Sequence, residues 1–148
     1  MMSERNCALI LGTIFLALGI AGFLPSLMTL PTSGLESQIA PSVPQPYSQG
    51  FGYLFGLFPV NLMHNLVHLS VGLFGIAAST SLGGARIFNR FFAIAYLPLA
   101  IMGLLPLSRT LFGYMPIFGN NVWFNALAGV AAAYFGFVRP AQTPRLEA

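Results

Sequence analysis

Apolar residues fall into four long runs along the chain, from about Cys7 to Leu24, Leu62 to Leu82, Ile87 to Leu105 and Val122 to Val138. Stretches rich in Pro, Gly, Ser and Asn separate them. About 20 apolar residues cross the hydrocarbon core of a bilayer, so each run predicts a transmembrane helix. None of the four holds a carboxylate. The first exceeds the roughly 7–15 apolar residues of a signal peptide, and no A-x-A cleavage pattern follows it; it is expected to remain as an anchor. Residues 25–61 form the longest polar gap, where Pro31, Pro41, Pro44 and Pro46 oppose helix and central strand alike. The pattern predicts an extended external loop there. Pro98 lies inside the third span, where it removes one backbone bond and predicts a kink.

Within the second span the apolar pattern is broken at helical spacing. Asn61, His64, Asn65, His68, Gly72, Gly75 and Ser79 fall on one stripe, and Leu62, Leu66, Leu69 and Leu73 on another. Span one carries Ala8, Gly12, Gly19 and Gly22 at comparable spacing, and span four carries Asn121, Asn125, Gly129, Ala132, Ala133 and Gly136. Small residues let membrane helices approach closely and polar ones bond across the contact, so these faces should turn inward. The chain also echoes itself. "LFGLFPV" at Leu54 returns as "LFGYMPI" at Leu111, and the same register sets His64 on Asn121, His68 on Asn125 and Gly72 on Gly129; "GFLPSLMTL" at Gly22 has a weaker counterpart in "GLLPLSRTL" at Gly103. The expected fold is an all-α integral membrane protein, one domain over residues 1–148, with four helices arranged as two repeated hairpins.

Composition agrees with this reading. Of 148 residues 56% are hydrophobic and 6% charged, against roughly 25% charged in a soluble domain. All six cations are Arg and all three anions Glu. A net charge of +3 spread this thinly excludes a nucleic-acid surface. Arg5 falls before span one, Arg86 and Arg90 at the join of spans two and three, and Arg139 and Arg145 after span four, leaving Arg109 alone on the other side. The positive-inside rule then predicts both termini cytoplasmic, in a bacterial inner membrane or a thylakoid membrane. Aromatic residues gather before spans two and four (Phe51, Tyr53, Phe55, Phe58; Phe112, Tyr114, Phe118, Trp123), as expected at a water–lipid boundary.

Candidate chemistry is confined to "PVNLMHNLVHLSVG" at Pro59. No carboxylate is available to orient either histidine and Ser70 lies off the stripe, so the pattern predicts no catalytic residue. Ion-coupled transport usually employs an intramembrane ionisable group, which makes a small-molecule transporter a third-ranked expectation. His64 and His68, about 6 Å apart along a helix axis, are candidate cofactor ligands. A chlorophyll magnesium needs only one, and a metal ion wants a third or fourth ligand. No dedicated metal set is expected. The leading reading makes Asn61, His64, Asn65, His68, Asn121 and Asn125 a polar packing seam that pins helix two against helix four, because unpaired polar groups in hydrocarbon are costly.

"GYLFGLFPVNLMHNLVHLSVGLFG" and "YMPIFGNNVWFNALAGVAAAYFGF" resemble the two hallmark segments of domain-of-unknown-function family 4383. The resemblance spans nearly the whole chain, from "GIAGFLP" to "AAYFGF", and is most specific in the F-P-V-N-x-x-H-N-x-x-H segment. It implies a small four-helix membrane protein of bacteria, cyanobacteria prominent among them, and no established activity. Relatives of this pattern often read G-H-D-V-W-L-H where this chain has "GNNVWFN", so Asn120, Asn121 and Asn125 stand where His, Asp and His would be. That departure shifts weight from metal towards structure. The expected function is a non-enzymatic accessory or structural subunit, or assembly factor, of a larger membrane complex, photosynthetic complexes included. Its partners would be the bilayer and other membrane subunits or a second copy of itself. The alternative is a cofactor-binding protein using His64 or His68 as ligand to chlorophyll or a metal.

Overall fold

A computed structural model describes residues 2–29 and 51–139. Four helices dominate: α1 Glu4–Ala21, α2 Leu62–Ala78, α3 Leu82–Leu104 and α4 Asn120–Ala133, the last continuing as a π-helical turn over Tyr134–Val138. Starts are set by capping side chains. Ser3 accepts from Asn6 N, Asn61 from His64 N and Ser81 from Gly84 N, each satisfying an amide that the helix leaves free. α1, α3 and the extended α4 are long and apolar enough to cross a membrane; α2, at 17 residues, is shorter. Pro98 lies within α3, whose helical range continues through it.

Two differences from the sequence reading stand out. The third helix begins at Leu82, not Ile87, so Arg86 is helical as well and both Arg86 and Arg90 lie in its first turns. Their long side chains make this tolerable by reaching fixed partners: Arg86 meets Glu4 at 2.9 Å, and Arg90 donates to the Gly136 carbonyl at 2.8 Å. The expected extended loop over 25–61 is partly a sheet. Met28–Thr29 (β1), Gly52–Leu54 (β2) and Phe58–Val60 (β3) pair antiparallel in the order β1-β2-β3. Pro59 fits because β3 is an edge strand, where one missing N–H leaves no ladder bond broken on the open side. Pro31, Pro41, Pro44 and Pro46 lie outside the described residues.

α1 packs mainly on α2 and α3 mainly on α4. Glycine makes the first contact possible: a Cβ on Gly12 would run into the backbone of Gly75 and Ile76, and one on Gly72 into the backbone of Leu16. The core between the pairs centres on Phe15, whose ring makes edge contacts with His68, Phe92 and Tyr96 at centroid separations of 4.9–5.1 Å. Cys7, Leu11, Ala93, Ala128, Ala132 and Phe135 complete it. The distribution is inverted relative to a water-soluble bundle. Asn65, Asn89, Asn121, Asn125, His64 and His68 are buried, whereas Leu73, Phe74, Phe91, Ile94 and Leu127 are exposed. An apolar exterior around a polar interior is the arrangement that hydrocarbon solvent favours.

Candidate functional site

The polar residues converge at the end of the bundle capped by the sheet. Their first task is set by local geometry: β3 and the segment before α4 enter the bundle as irregular backbone, and their carbonyls need donors. Asn121 Nδ2 donates to the Pro59 carbonyl at 2.7 Å and to the Pro116 carbonyl at 3.1 Å. Asn61 Nδ2 reaches the Tyr114 carbonyl at 2.9 Å while its oxygen caps α2, and Asn120 Nδ2 reaches the Leu57 carbonyl at 3.2 Å. Asn65 Nδ2 donates to Gly22 O at 2.7 Å, tying α2 to the end of α1. These side chains therefore fasten backbone to backbone. Among the described residues, the bonds of Asn61, Asn120 and Asn121 run from the side chains to carbonyls of the segments that precede α2 and α4.

His64 and His68 are brought together. Their Nε2 atoms lie 3.0 Å apart with the ring planes at 78°. One imidazole donates and the other accepts, so the pair consumes one nitrogen of each ring. Nδ1 of both rings and the Tyr96 hydroxyl are buried without a hydrogen-bond partner. Both histidines line a small cavity of about 10 Å³ with Tyr96, Met115 and Asn125, a volume on the scale of one water molecule. Asn125 thus faces the histidine pair across this space.

Among the described residues no group of three or more His, Cys, Asp and Glu gathers. Cys7 is buried in the core cluster around Phe15 and does not line the histidine cavity. The residues that the sequence did not single out are Tyr96 and Met115, and the carbonyls of Leu57, Pro59, Tyr114 and Pro116. Nothing in residue type marks a carbonyl, although the repeated prolines at 59 and 116 do mark where the backbone turns irregular.

A family model described as "Domain of unknown function (DUF4383)" matches residues 5–138. The chain belongs to the DUF4383 family. No curated protein and no solved structure matches it. The matched region takes in α1 from its second residue on, α2, α3, α4, the sheet and every residue of the polar cluster. Asn120, Asn121 and Asn125 each have a defined place here: the first two bond carbonyls, and the third lines the cavity.

Proposed function

We propose that this DUF4383 protein is a non-enzymatic accessory or structural subunit, or assembly factor, of a larger membrane complex, photosynthetic complexes included, and that its sheet end is the contact face. The observation that carries the reading is a pair of matching strained turns. Phe55 and Gly56 have φ of 55° and 69°, and Phe112 and Gly113 have φ of 55° and 93°. Both turns close with the same bond, Leu57 N to Leu54 O and Tyr114 N to Leu111 O. Left-handed backbone costs a residue with a Cβ about 1–2 kcal/mol, and Asn-Gly would avoid most of that. A phenylalanine there, the residue 51% exposed at Phe55 and 63% at Phe112, points to a use for the side chain outside the fold. Strained backbone gathers where function demands it.

The same turns support two repeated hairpins within a single domain over residues 1–148. The carbonyls of Leu57 and Tyr114, which occupy the same place in the "LFGxxP" repeat, each also accept from an asparagine amide, Asn120 and Asn61 respectively. Arg5, Arg86, Arg90 and Arg139 bond to groups at the end holding Met2 and Ser79. By the positive-inside rule that end is cytoplasmic, in a bacterial inner membrane or a thylakoid membrane, with the aromatic turns on the opposite side.

Native electrophoresis of gently solubilised membranes tests the assignment: comigration with a larger complex supports it, and migration only as a lone monomer rejects it. The Phe55→Asn/Phe112→Asn variant should lose comigration while gaining about 1 kcal/mol of stability or more. A chlorophyll held by His64 or His68 is the weaker reading, because both Nε2 atoms face each other inside the bundle and the space beside them is far smaller than a macrocycle.

A further inference from the structure

α2 and α3 are joined by a short turn, yet each packs mainly on another helix, and an apolar groove of about 520 Å³ is left between them. Phe92 and Tyr96, stacked with ring centroids 4.0 Å apart and planes at 4°, give it a flat buried wall, and Phe74 and Phe91, 70% and 71% exposed, flank it. No charged side chain lines it. The lining starts at Ala78 and Gly84, beside the turn between the helices, and reaches Val71 and Tyr96. From Gly84 to Tyr96 the wall rises roughly 18 Å at about 1.5 Å per helical residue, against about 15 Å for one leaflet's share of a hydrocarbon core about 30 Å thick. The groove therefore has the length of one leaflet's acyl chain and is too short for a molecule that crosses the bilayer.

We propose that this groove seats one acyl chain of an anionic phospholipid whose phosphate is held by Arg5. The site goes beyond the accessory role and is independent of it. Arg5 sets the choice of headgroup. Its Nε donates to the Ser79 carbonyl at 2.8 Å, which brings the guanidinium beside Ala78, where the groove begins on α2. The residue is exposed, and among the described residues its terminal nitrogens meet no acceptor. A guanidinium presents five donors in a fork that fits phosphate oxygens. Other cations of this end are directed elsewhere: Arg86 pairs with Glu4, Arg90 donates to Gly136 O and Arg139 to Met2 O. The apolar wall does not select a lipid by itself, because seating a chain there exchanges one hydrocarbon contact for another. The wall supplies shape and Arg5 supplies preference. One basic side chain at the membrane surface corresponds to about a fivefold preference for anionic lipid.

The test offers the full chain, purified in mild detergent, an equimolar mixture of phosphatidylglycerol and phosphatidylcholine with identical chains, and reads retained lipid by native mass spectrometry. One lipid per chain is expected, with about a fivefold preference for phosphatidylglycerol. Phosphatidylglycerol carrying a photoreactive group on its acyl chain should label residues 71–78 and 84–96. Ala95→Trp, which fills the groove from an exposed position, should remove the retained lipid of both kinds, and Arg5→Gln should bring the two headgroups to about equal retention. A parent chain that retains no lipid, or retains both headgroups equally, overturns the proposal. So does a preference that survives Arg5→Gln, or labelling outside the groove. A lipid-free dimer that Ala95→Trp dissociates assigns the groove to a second copy and overturns it equally. Should either variant fail to fold, headgroup preference and labelling of the unaltered chain decide alone.

Discussion

Asn120 and Asn121 are chemically identical neighbours with different work to do. Asn121 is buried and its amide serves two carbonyls, Pro59 and Pro116; Asn120 is exposed and serves one at 3.2 Å. Removing a buried donor leaves its acceptors desolvated and unpaired, which costs about 1–3 kcal/mol. Asn121→Ala should therefore lower stability by that amount in detergent unfolding followed by circular dichroism. Asn120→Ala, whose acceptor can turn to water, should fall within about 0.5 kcal/mol of the parent. Equal effects from the two would show that the carbonyl clasp does not stabilise the fold. The sequence placed both residues on a polar cluster, and it could not separate them, because the difference lies in which loop carbonyl each faces.

At the scale of the element, the α1–α2 contact depends on backbones meeting where no side chain intervenes. Gly72 lies against the Leu16 backbone and Gly12 against Gly75 and Ile76. Close approach of this kind is the main attraction between helices in lipid, where burial of apolar surface gives little. Gly72→Val should force the pair apart and cost about 2 kcal/mol or more, comparable to overpacking a core. Gly83 is the control. A Cβ there meets nothing within 4 Å, so Gly83→Ala should be neutral or stabilising by about 0.4–1 kcal/mol through the unfolded chain. Thermal unfolding of the two variants side by side checks this, and matching losses would reject it. The small-residue stripes were legible from spacing alone. Their pairing was not, since spans one, two and four all carried one.

Across the whole molecule, the end holding Met2 is held by polar contacts that join distant parts of the chain. Glu4 is fully buried and pairs with Arg86, Asn89 donates to the Glu4 carbonyl, Arg5 donates to Ser79 O, and Arg139 donates to Met2 O. These contacts link α1 to the ends of α2, α3 and α4. Breaking a buried pair by removing one partner leaves the other charge uncompensated, although Arg86 remains 24% exposed and is partly screened. Glu4→Gln and Arg86→Gln should each cost about 1–3 kcal/mol, and the double variant less than their sum. Additive losses in a double-mutant cycle would show that the two side chains do not act together.

The sequence by itself determined the four apolar helices, the inward polar stripe of α2 and the family. The alternation of apolar and polar positions follows from a local rule, that hydrocarbon accepts only paired backbone and apolar side chains. Tertiary structure alone decided the rest. The sheet forms between segments separated by residues 30–50, α3 draws Arg86 and Arg90 into its first turns because Glu4 and Gly136 O await them, and the asparagines bond to carbonyls. Each depends on a partner remote in sequence, often a backbone atom that every residue possesses, so no residue type announces it. The histidine pair shows both halves: its i, i+4 spacing was written in the chain, while the cavity beside it exists only where Tyr96, Met115 and Asn125 arrive from elsewhere.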